Sequence, residues 1–334
     1  MSNQTIRWGI LGCASIAKRS VIPGIQKSRF NEVKAIASRS LETAKETAEQ
    51  LNIPQAYGSY EELLADPELD AIYIPLPNHL HKEWTIAAAK AGKHVLCEKP
   101  IALNYEEALE MAAVAKQAGV IVAEAFMYRY HPRYAQIKQL IADGAIGELR
   151  LIRGCFTFNN GDSTENVRFV KEWGGGSLYD VGCYPISAAR YLIGQEPIAA
   201  TMHALFSEKH GGVDMMASGL VEFPDDLTLV FDCGMWATFR NSLEIVGTKG
   251  RIELPHAFLG KNEQEANYFL YTDAGVEEIQ AEHLDSYALQ ADAIAQAIYG
   301  EQPLPFPLED AAANMKVLEA CLTSAEQKAR ITIQ

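Results

Sequence analysis

The sequence lacks the features that mark several classes of protein. Six cysteines are spread along 334 residues without a C-x-x-C pair, and no apolar run approaches the roughly 18 residues of a membrane-spanning helix. No block of lysine and arginine offsets the formal net charge of -14, which opposes binding to nucleic acid or to anionic lipid. We therefore expect no metal site, no nucleic-acid partner and no membrane partner.

The chain also begins without a charged-then-apolar leader, so the sequence predicts a protein that is not exported. Thiols stay reduced in the cytoplasm, and we expect six free cysteines in a cytoplasmic protein. What is present is an ordinary globular composition, with 48% hydrophobic and 22% charged residues. At roughly 100–200 residues per domain, the length predicts two domains.

Short apolar runs alternate with amphipathic stretches in the first part of the chain, which is typical of a parallel sheet covered by helices. We predict such an α/β domain over residues 1–125. Its strand candidates are Ile6–Leu11, Glu32–Ala37, Ala71–Pro75, His94–Cys97 and Val120–Ala123. Further on, apolar runs separated by short turns predict an antiparallel sheet. Residues 126–334 are therefore expected to form an α+β domain with a large, mainly antiparallel open sheet.

A glycine-containing turn follows the first strand candidate and precedes a helix, which is the position of a dinucleotide-binding fingerprint. Against the pattern G-x-G-x-x-G/A, the chain has Gly12, Ala14 and Ala17, so a methyl group stands where glycine lets the backbone approach the pyrophosphate. We expect Gly12, Ala14, Ser15 and Ile16 to contact a cofactor. A tight turn in an unrelated α/β domain is the alternative.

The second strand candidate leads to Ser38 and Arg39, about where the adenosine ribose of a bound dinucleotide lies. A carboxylate there would hold both ribose hydroxyls of NAD and repel a 2′-phosphate, whereas these residues offer a hydroxyl and a guanidinium. We therefore predict NADP(H) as the favoured cofactor, with NAD(H) as the alternative. The other interpretation of Arg39 is a solvated charge at the start of a helix.

Lys99 follows the fourth strand candidate, at the carboxyl end of a parallel strand, where α/β folds bind their ligands. Pro100 restrains Lys99 toward an extended backbone. A lysine fixed beside a nicotinamide can hydrogen-bond the reacting oxygen and assist proton transfer. Taken alone, a solvent-exposed loop lysine explains the position as well.

The loop after the third strand candidate contains two prolines, and we expect this rigid segment to press on the nicotinamide. A helix cap by Asn78 and surface histidines are the alternative. The predicted cofactor contacts from this loop and the Lys99 segment are Pro75, Leu76, Asn78, His81, Glu98 and Lys99.

Asp180 and Tyr184 lie four residues apart after a flexible triple glycine, a spacing that puts both side chains on one face of a helix. Pro185 predicts a kinked or restarted helix at this point. A tyrosine hydroxyl beside a lysine can pass a proton to or from a substrate oxygen, and an aspartate can orient the lysine or a sugar hydroxyl. The alternative for Tyr184 is a half-buried packing residue.

Taken in order, these motifs resemble the glucose-fructose oxidoreductase, inositol dehydrogenase and rhizopine-catabolism (Gfo/Idh/MocA) family. The resemblance rests on Gly9–Ala17, Pro75–His81, Glu98–Pro100 and Gly174–Tyr184, with further family-like segments at Ala123–Pro132 and Glu244–Gly250. It implies a Rossmann domain, a homodimer or higher oligomer formed through the sheet of the second domain, and a catalytic lysine at Lys99. Many members have histidine where this chain has Tyr184. Tyrosine resembles the branch of glucose-fructose oxidoreductase, NADP-dependent xylose dehydrogenases and dimeric dihydrodiol dehydrogenases, in which it is taken as the proton donor.

The resemblance implies reversible hydride transfer between C4 of the nicotinamide and a carbinol or carbonyl carbon of a sugar or polyol. Lys99 and Tyr184 would handle the hydroxyl proton, and Asp180 would orient them. The substrate-binding candidates are Tyr128, Arg129, Phe158 and Trp173. An aromatic lining would also suit oxidation of trans-dihydrodiols or reduction of dicarbonyls. A non-catalytic NADP(H)-binding regulator is the alternative outside the enzymes, because a Rossmann domain does not by itself imply chemistry.

Overall fold

The computed structural model describes residues 5–163, 165–259 and 266–334. The chain divides into two units, one containing the described residues up to Tyr130 together with Asp285–Ala312, and the other containing His131–Leu284 with Ala313–Gln334. The boundary between residues 125 and 126 stays a prediction, to which the structure adds that a late segment of the chain belongs to the first unit. None of the described helices is long and apolar enough to cross a membrane.

The strands and helices are numbered in chain order. The strands are β1 (Ile6–Leu11), β2 (Asn31–Ala37), β3 (Gln55–Tyr57), β4 (Ala71–Ile74), β5 (His94–Cys97), β6 (Val122–Glu124), β7 (Leu149–Asn159), β8 (Ala199–Ser207), β9 (Val213–Glu222), β10 (Thr228–Gly234), β11 (Trp236–Gly247), β12 (Gly250–Leu254), β13 (Tyr268–Thr272), β14 (Gly275–Ile279) and β15 (Ile331–Thr332). The α-helices are α1 (Ile22–Lys27), α2 (Leu41–Leu51), α3 (Tyr60–Leu64), α4 (His81–Lys90), α5 (Tyr105–Ala118), α6 (Pro132–Ala142), α7 (Cys183–Ile193), α8 (Ser286–Ile298) and α9 (Leu308–Gln327).

The first unit contains a six-stranded sheet in the order β3-β2-β1-β4-β5-β6, in which every pair of neighbours is parallel. The five predicted strands are all present, with ends that differ by at most two residues. Apolar runs locate them well because strands covered by helices on both faces are buried throughout, as β4 is along its whole length. The predicted Rossmann sheet is confirmed.

Local signals also set the ends of the helices in this unit. The Ser40 hydroxyl accepts a hydrogen bond from the Thr43 amide at 3.3 Å and so caps α2, a role for which serine is favoured. The Asn104 side chain caps α5 in the same way, and α5 ends at Gly119 in a left-handed conformation.

The second unit contains a nine-stranded sheet in the order β14-β13-β12-β11-β7-β10-β9-β8-β15. The pairs are antiparallel except for β10 with β7, which run parallel, so the predicted mainly antiparallel sheet is confirmed. A π-helical turn at Leu178–Gly182 runs directly into α7, and Pro185 lies in the first turn of that helix. Because the helical run continues unbroken from the π-helical turn, Pro185 lies inside it, and the wider π-helical turn directly before the proline is the local irregularity expected where proline lacks an amide hydrogen.

Candidate functional site

Several predicted cofactor residues of the first unit meet at one edge of the parallel sheet. Because the strands run parallel, their carboxyl ends lie at the same edge. The residues there are Gly12 after β1, Ser38 and Arg39 after β2, Pro75 and Leu76 after β4, and Glu98 and Lys99 after β5. Spacing along the sequence predicted these positions one loop at a time, and the strand order brings the loops to one edge.

Gly12 keeps space open at this edge. Its φ of +118° disfavours any side chain, and a Cβ there would lie 3.1 Å from Leu76 Cδ2 and 3.6 Å from the Tyr60 hydroxyl. A helical run begins nearby at Ser15, which is exposed. The first amides of a helix have no partner within it and point outward from its N-terminus. An open backbone beside a helix start suits the pyrophosphate of a dinucleotide, despite the methyl group of Ala14.

An exposed arginine, Arg39, follows the end of β2. Arg39 is exposed, and within residues 5–163, 165–259 and 266–334 its guanidinium makes no ion pair. The half-buried Ser38 accepts a hydrogen bond from the Ser40 amide at 3.3 Å. A donor and an unneutralised guanidinium at this position are suited to a phosphate group.

Tyr60 is a residue of this edge that sequence analysis missed. Burial raises the pKa of its hydroxyl, and the positive charge of Arg39 acts in the opposite direction, so the two side chains are neighbours. Its ring packs edge-on against Trp84, with 4.9 Å between ring centroids. Tyr60 follows β3, a three-residue strand without an apolar run, so the sequence carried no signal for it.

The Lys99 backbone is held by the residue before it. The Tyr73 hydroxyl on β4 donates a hydrogen bond of 2.6 Å to Glu98 Oε1, and the Lys99 amide donates to Glu98 Oε2 at 3.3 Å. Burial first, and then the charge of Glu98, raise the pKa of Tyr73, which keeps its hydroxyl protonated as a donor. The peptide between Lys99 and Pro100 is cis. Glu98 therefore fixes the position of the Lys99 backbone at the end of β5.

His81 lies between the loop after β4 and the loop after β5, which contains Lys99. Its ring is fully buried, with Nδ1 2.9 Å from the Pro100 carbonyl oxygen and Nε2 2.7 Å from the Leu76 carbonyl oxygen. Burial lowers the pKa of His81 to about 4, although both carbonyls oppose that shift. The direct cofactor contact of His81 stays a prediction. The geometry gives a buried side chain between the two loops, rather than a surface histidine, and its neutral ring donates a hydrogen bond to one of the two carbonyls.

The predicted substrate residues do not share one environment. Tyr128 and Arg129 are buried in the first unit, and Arg129 Nη1 donates to Asp310 Oδ2 at 2.5 Å. In the second unit, Phe158 packs against a buried apolar cluster, whereas Trp173 is 40% exposed. Their substrate contacts stay predictions, and Trp173 is the most exposed of the four.

Asp180 in the second unit has a charged partner that sequence analysis missed. Arg168 Nε donates a hydrogen bond of 2.7 Å to Asp180 Oδ2, and the Asp180 side chain is only 15% exposed. Twelve residues separate the two, in a stretch without helical or strand periodicity. A largely buried carboxylate that accepts a hydrogen bond from a guanidinium keeps one orientation.

Tyr184 lies in the first turn of α7, is 7% exposed and packs among aromatic rings. The centroid of its ring is 5.1 Å from that of Phe156 and 5.3 Å from that of Phe258. The expected packing role is thus present. An aromatic cluster of this kind holds the ring rigidly, which any proton transfer by its hydroxyl requires.

Within the described ranges, no three His, Cys, Asp or Glu side chains come together as metal ligands would. All six cysteines are free thiols, and burial raises the pKa of Cys97, Cys233 and Cys321. These buried thiols are therefore poor nucleophiles.

Replacing His81 with phenylalanine keeps a planar ring and removes both contacts to the loop carbonyls. We expect the free energy of unfolding at pH 7 to fall by roughly 1–3 kcal/mol, because a buried carbonyl loses its donor. Below pH 6.5 the unfolded wild-type chain binds a proton at His81 that the folded chain resists, down to the native pKa of about 4. Wild-type stability from this group therefore falls as the pH falls, and the deficit of the variant narrows at pH 5.

Urea unfolding at pH 7 and pH 5 measures this difference, with substitution of the exposed His203 by phenylalanine as the control. An equal deficit of the His81 variant at both pH values would contradict a buried neutral ring.

Comparison with known proteins identifies the family. A family model described as an oxidoreductase family with an NAD-binding Rossmann fold matches residues 6–126, and a model of the GFO/IDH/MocA C-terminal domain matches residues 134–253. An uncharacterized oxidoreductase, ORF334, from Rhizobium meliloti is 40% identical, over 96% of this chain and 97% of its own length. D-xylose 1-dehydrogenase (NADP(+)) 2 from Haloferax volcanii is 37% identical, over 98% of this chain and 99% of its own.

Among solved structures, the aldose-aldose oxidoreductase from Caulobacter crescentus complexed with glycerol superposes with a TM-score of 0.91 at 26% identity, over 98% of this chain and 100% of that one. Sequence and fold thus agree along nearly the whole chain. The chain belongs to the GFO/IDH/MocA family of oxidoreductases and has its NAD-binding Rossmann domain.

Proposed function

We propose that this oxidoreductase transfers a hydride between C4 of the nicotinamide of NADP(H) and a carbinol or carbonyl carbon of a sugar or polyol. The observation that carries the proposal is the fixed position of Lys99 at the edge of the sheet, with Glu98 held by Tyr73 and the Pro100 carbonyl held by His81. The similarity to a D-xylose dehydrogenase over 98% of this chain supports a sugar as substrate.

The residues at the edge of the sheet fit NADP(H). The space that a Cβ at Gly12 would fill accommodates the pyrophosphate, next to the helix start at Ser15. Ser38 and the unpaired charge of Arg39 suit a 2′-phosphate, so NADP(H) is preferred over NAD(H). When bound, the nicotinamide supplies the hydride donor or acceptor.

Three side chains carry the proton chemistry in this proposal. The Lys99 ammonium donates a hydrogen bond to the reacting oxygen and stabilises the negative charge that develops there. The Tyr184 hydroxyl takes or gives the proton of that oxygen, as the tyrosine-containing branch of the family implies. Asp180, held in place by Arg168, accepts hydrogen bonds and orients the donors.

A second candidate is oxidation of a trans-dihydrodiol. It is favoured by the similarity to a trans-1,2-dihydrobenzene-1,2-diol dehydrogenase from Xenopus tropicalis, which is 35% identical over 75% of this chain. The D-xylose dehydrogenase is similar over 98% of this chain, and for this reason the sugar remains the first candidate.

We extend the proposal to assembly and location. The face of the nine-stranded sheet contains a shallow cavity of about 790 Å³, with the exposed Val230 and the half-buried Leu220 on neighbouring strands. An apolar patch on a broad sheet face suits a second copy of the chain, so a homodimer through this sheet is proposed. The six free thiols are compatible with the cytoplasm.

A spectrophotometric screen tests the reaction itself. Purified protein is incubated with NADP+ or NAD+ and a panel of aldoses, polyols and a trans-dihydrodiol, and cofactor reduction is followed at 340 nm. We expect turnover with at least one aldose or polyol and a preference for NADP+. Micromolar cofactor binding without turnover of any alcohol or carbonyl would instead make the protein a non-catalytic regulator.

Replacing Lys99 with methionine tests its role. We expect kcat to fall by roughly 10²–10⁴-fold, because the donor to the reacting oxygen is lost, while the dissociation constant for NADP+ stays nearly unchanged. Substitution of the exposed Lys90 by methionine is the matched control and should retain wild-type turnover. Full activity of the Lys99 variant would remove this residue from the mechanism.

Replacing Arg39 with alanine tests the cofactor preference. Loss of a charge-assisted contact to the 2′-phosphate should raise KM for NADP+ by about 10–100-fold and leave KM for NAD+ within about threefold. The exposed Arg29, replaced by alanine, controls for the loss of a surface charge from the same unit. Parallel increases of KM for both cofactors would rule out recognition of the 2′-phosphate by Arg39.

A further inference from the structure

Asp214 is a buried carboxylate that none of the roles described above uses. It lies on β9 and is 1% exposed. Its Oδ2 accepts hydrogen bonds from the Ser177 hydroxyl at 2.7 Å and from the Leu178 amide at 2.8 Å. A buried carboxylate is costly unless such donors compensate it, so this contact has to be specific.

The partners of Asp214 form the start of a long helical segment. The helical run begins at Ser177, continues through the π-helical turn at Leu178–Gly182 and ends with α7 at Ile193. Amides at a helix start have no partner within the helix, and an anion there also interacts favourably with the helix dipole. Asp214 therefore caps this run from a different strand, 37 residues further along the chain.

The glycines directly before the helical run lie in a tightly packed segment, and Gly176 packs against the Asp214 carboxylate. Gly176 has a φ of +116°, and a Cβ there would overlap Asp214 Oδ1. A Cβ at Gly175 would lie 2.5 Å from the Arg168 carbonyl oxygen. The triple glycine, expected to be flexible, is instead tightly packed, because the chain passes between the Asp214 carboxylate and the segment that carries Arg168.

The capped run carries both reactive side chains of the second unit, Asp180 and Tyr184. We propose that Asp214 is a positioning residue, whose contacts with Ser177 and Leu178 fix the helical run so that Asp180 and Tyr184 hold their working orientation. This inference rests on the proposed function, because it assigns Asp214 a role in the same reaction.

The charge state of Asp214 gives the contact a pH dependence. Burial raises the pKa of Asp214 to about 6, and the hydrogen bonds from Ser177 and Leu178 oppose the shift. Two other titratable groups face it: the Cys233 thiol of β10, whose pKa is raised by burial and then by Asp214, and the Lys171 amine, held mainly by Glu326. Below about pH 6 the carboxyl gains a proton, and the cap on the helical run weakens.

Replacing Asp214 with asparagine keeps the shape and removes the charge. We expect kcat on the sugar or polyol found by screening to fall about 10²-fold, because a small displacement of reacting groups has an effect of this size, with the NADP+ dissociation constant unchanged. The fall in wild-type kcat below about pH 6 should be absent from the variant. A purely structural role would lower thermal stability without moving the pH profile.

The matched control is replacement of Ser324 with alanine. Ser324 is fully buried in the same unit, and its hydroxyl accepts a hydrogen bond from the Met202 amide at 2.9 Å and donates to the Ala329 carbonyl, both outside the helical run. The Ser324 substitution should lower the free energy of unfolding while leaving kcat and the pH profile of the folded protein unchanged. If the Asp214 variant behaves like this control once the folded fraction is taken into account, the positioning role is wrong.

Replacing Ser177 with alanine serves as a milder second variant if the Asp214 variant fails to fold. It removes one donor to the carboxylate, which should lower kcat several-fold and move the acid limb of the profile to higher pH, because the ionised form loses a hydrogen bond. An unchanged kcat and an unmoved limb would overturn the inference.

Replacing Tyr184 with phenylalanine in the same assays separates the two proposals. A wild-type protein inactive on all substrates, or an unimpaired Tyr184 variant, refutes the proposed function. An active wild type and an impaired Tyr184 variant, combined with unimpaired Asp214 and Ser177 variants, refute only the positioning role of Asp214.

Discussion

The parallel pairing of β1 with β2 and β4, and of β4 with β5, is the constraint that brings the predicted cofactor residues to one edge of the sheet. Parallel strands bring their carboxyl ends to one edge, so Gly12, Arg39, Leu76 and Lys99 are gathered there although they lie far apart in the sequence. The central strands are largely buried, and β4 is buried along its whole length. The buried strands therefore supply the stability of the sheet, and the loop residues at its edge are not needed for that purpose.

A second feature is common to both units: buried polar groups hydrogen-bond the segments that carry the proposed catalytic residues. In the first unit, Tyr73 and His81 fix the backbone around Lys99. In the second, Asp214 fixes the start of the helical run that carries Tyr184. Buried hydrogen bonds are costly to break, so these contacts keep the backbone around Lys99 and before Tyr184 rigid.

How far the sequence was informative differs from element to element. Runs of buried apolar residues located the main strands, whereas β3, β14 and β15 were not predicted because they are short or exposed and form only by pairing with a neighbour. The triple glycine ending at Gly176 was interpreted as flexible, since its sequence gives no sign of the carboxylate it packs against. Tyr60 and Arg168 were missed for the same reason, because neither lies in a recognisable motif.

By itself, the sequence determined the Rossmann sheet, the mainly antiparallel second sheet and the family, because apolar runs, turn residues and the motifs around Gly12, Lys99 and Tyr184 are local patterns. Only the tertiary structure decided which groups hold those motifs. His81 and Pro100 are 19 residues apart, and Asp214 and Ser177 are 37 apart. Such contacts arise from strand order and burial, which bring together side chains whose spacing in the sequence follows no period.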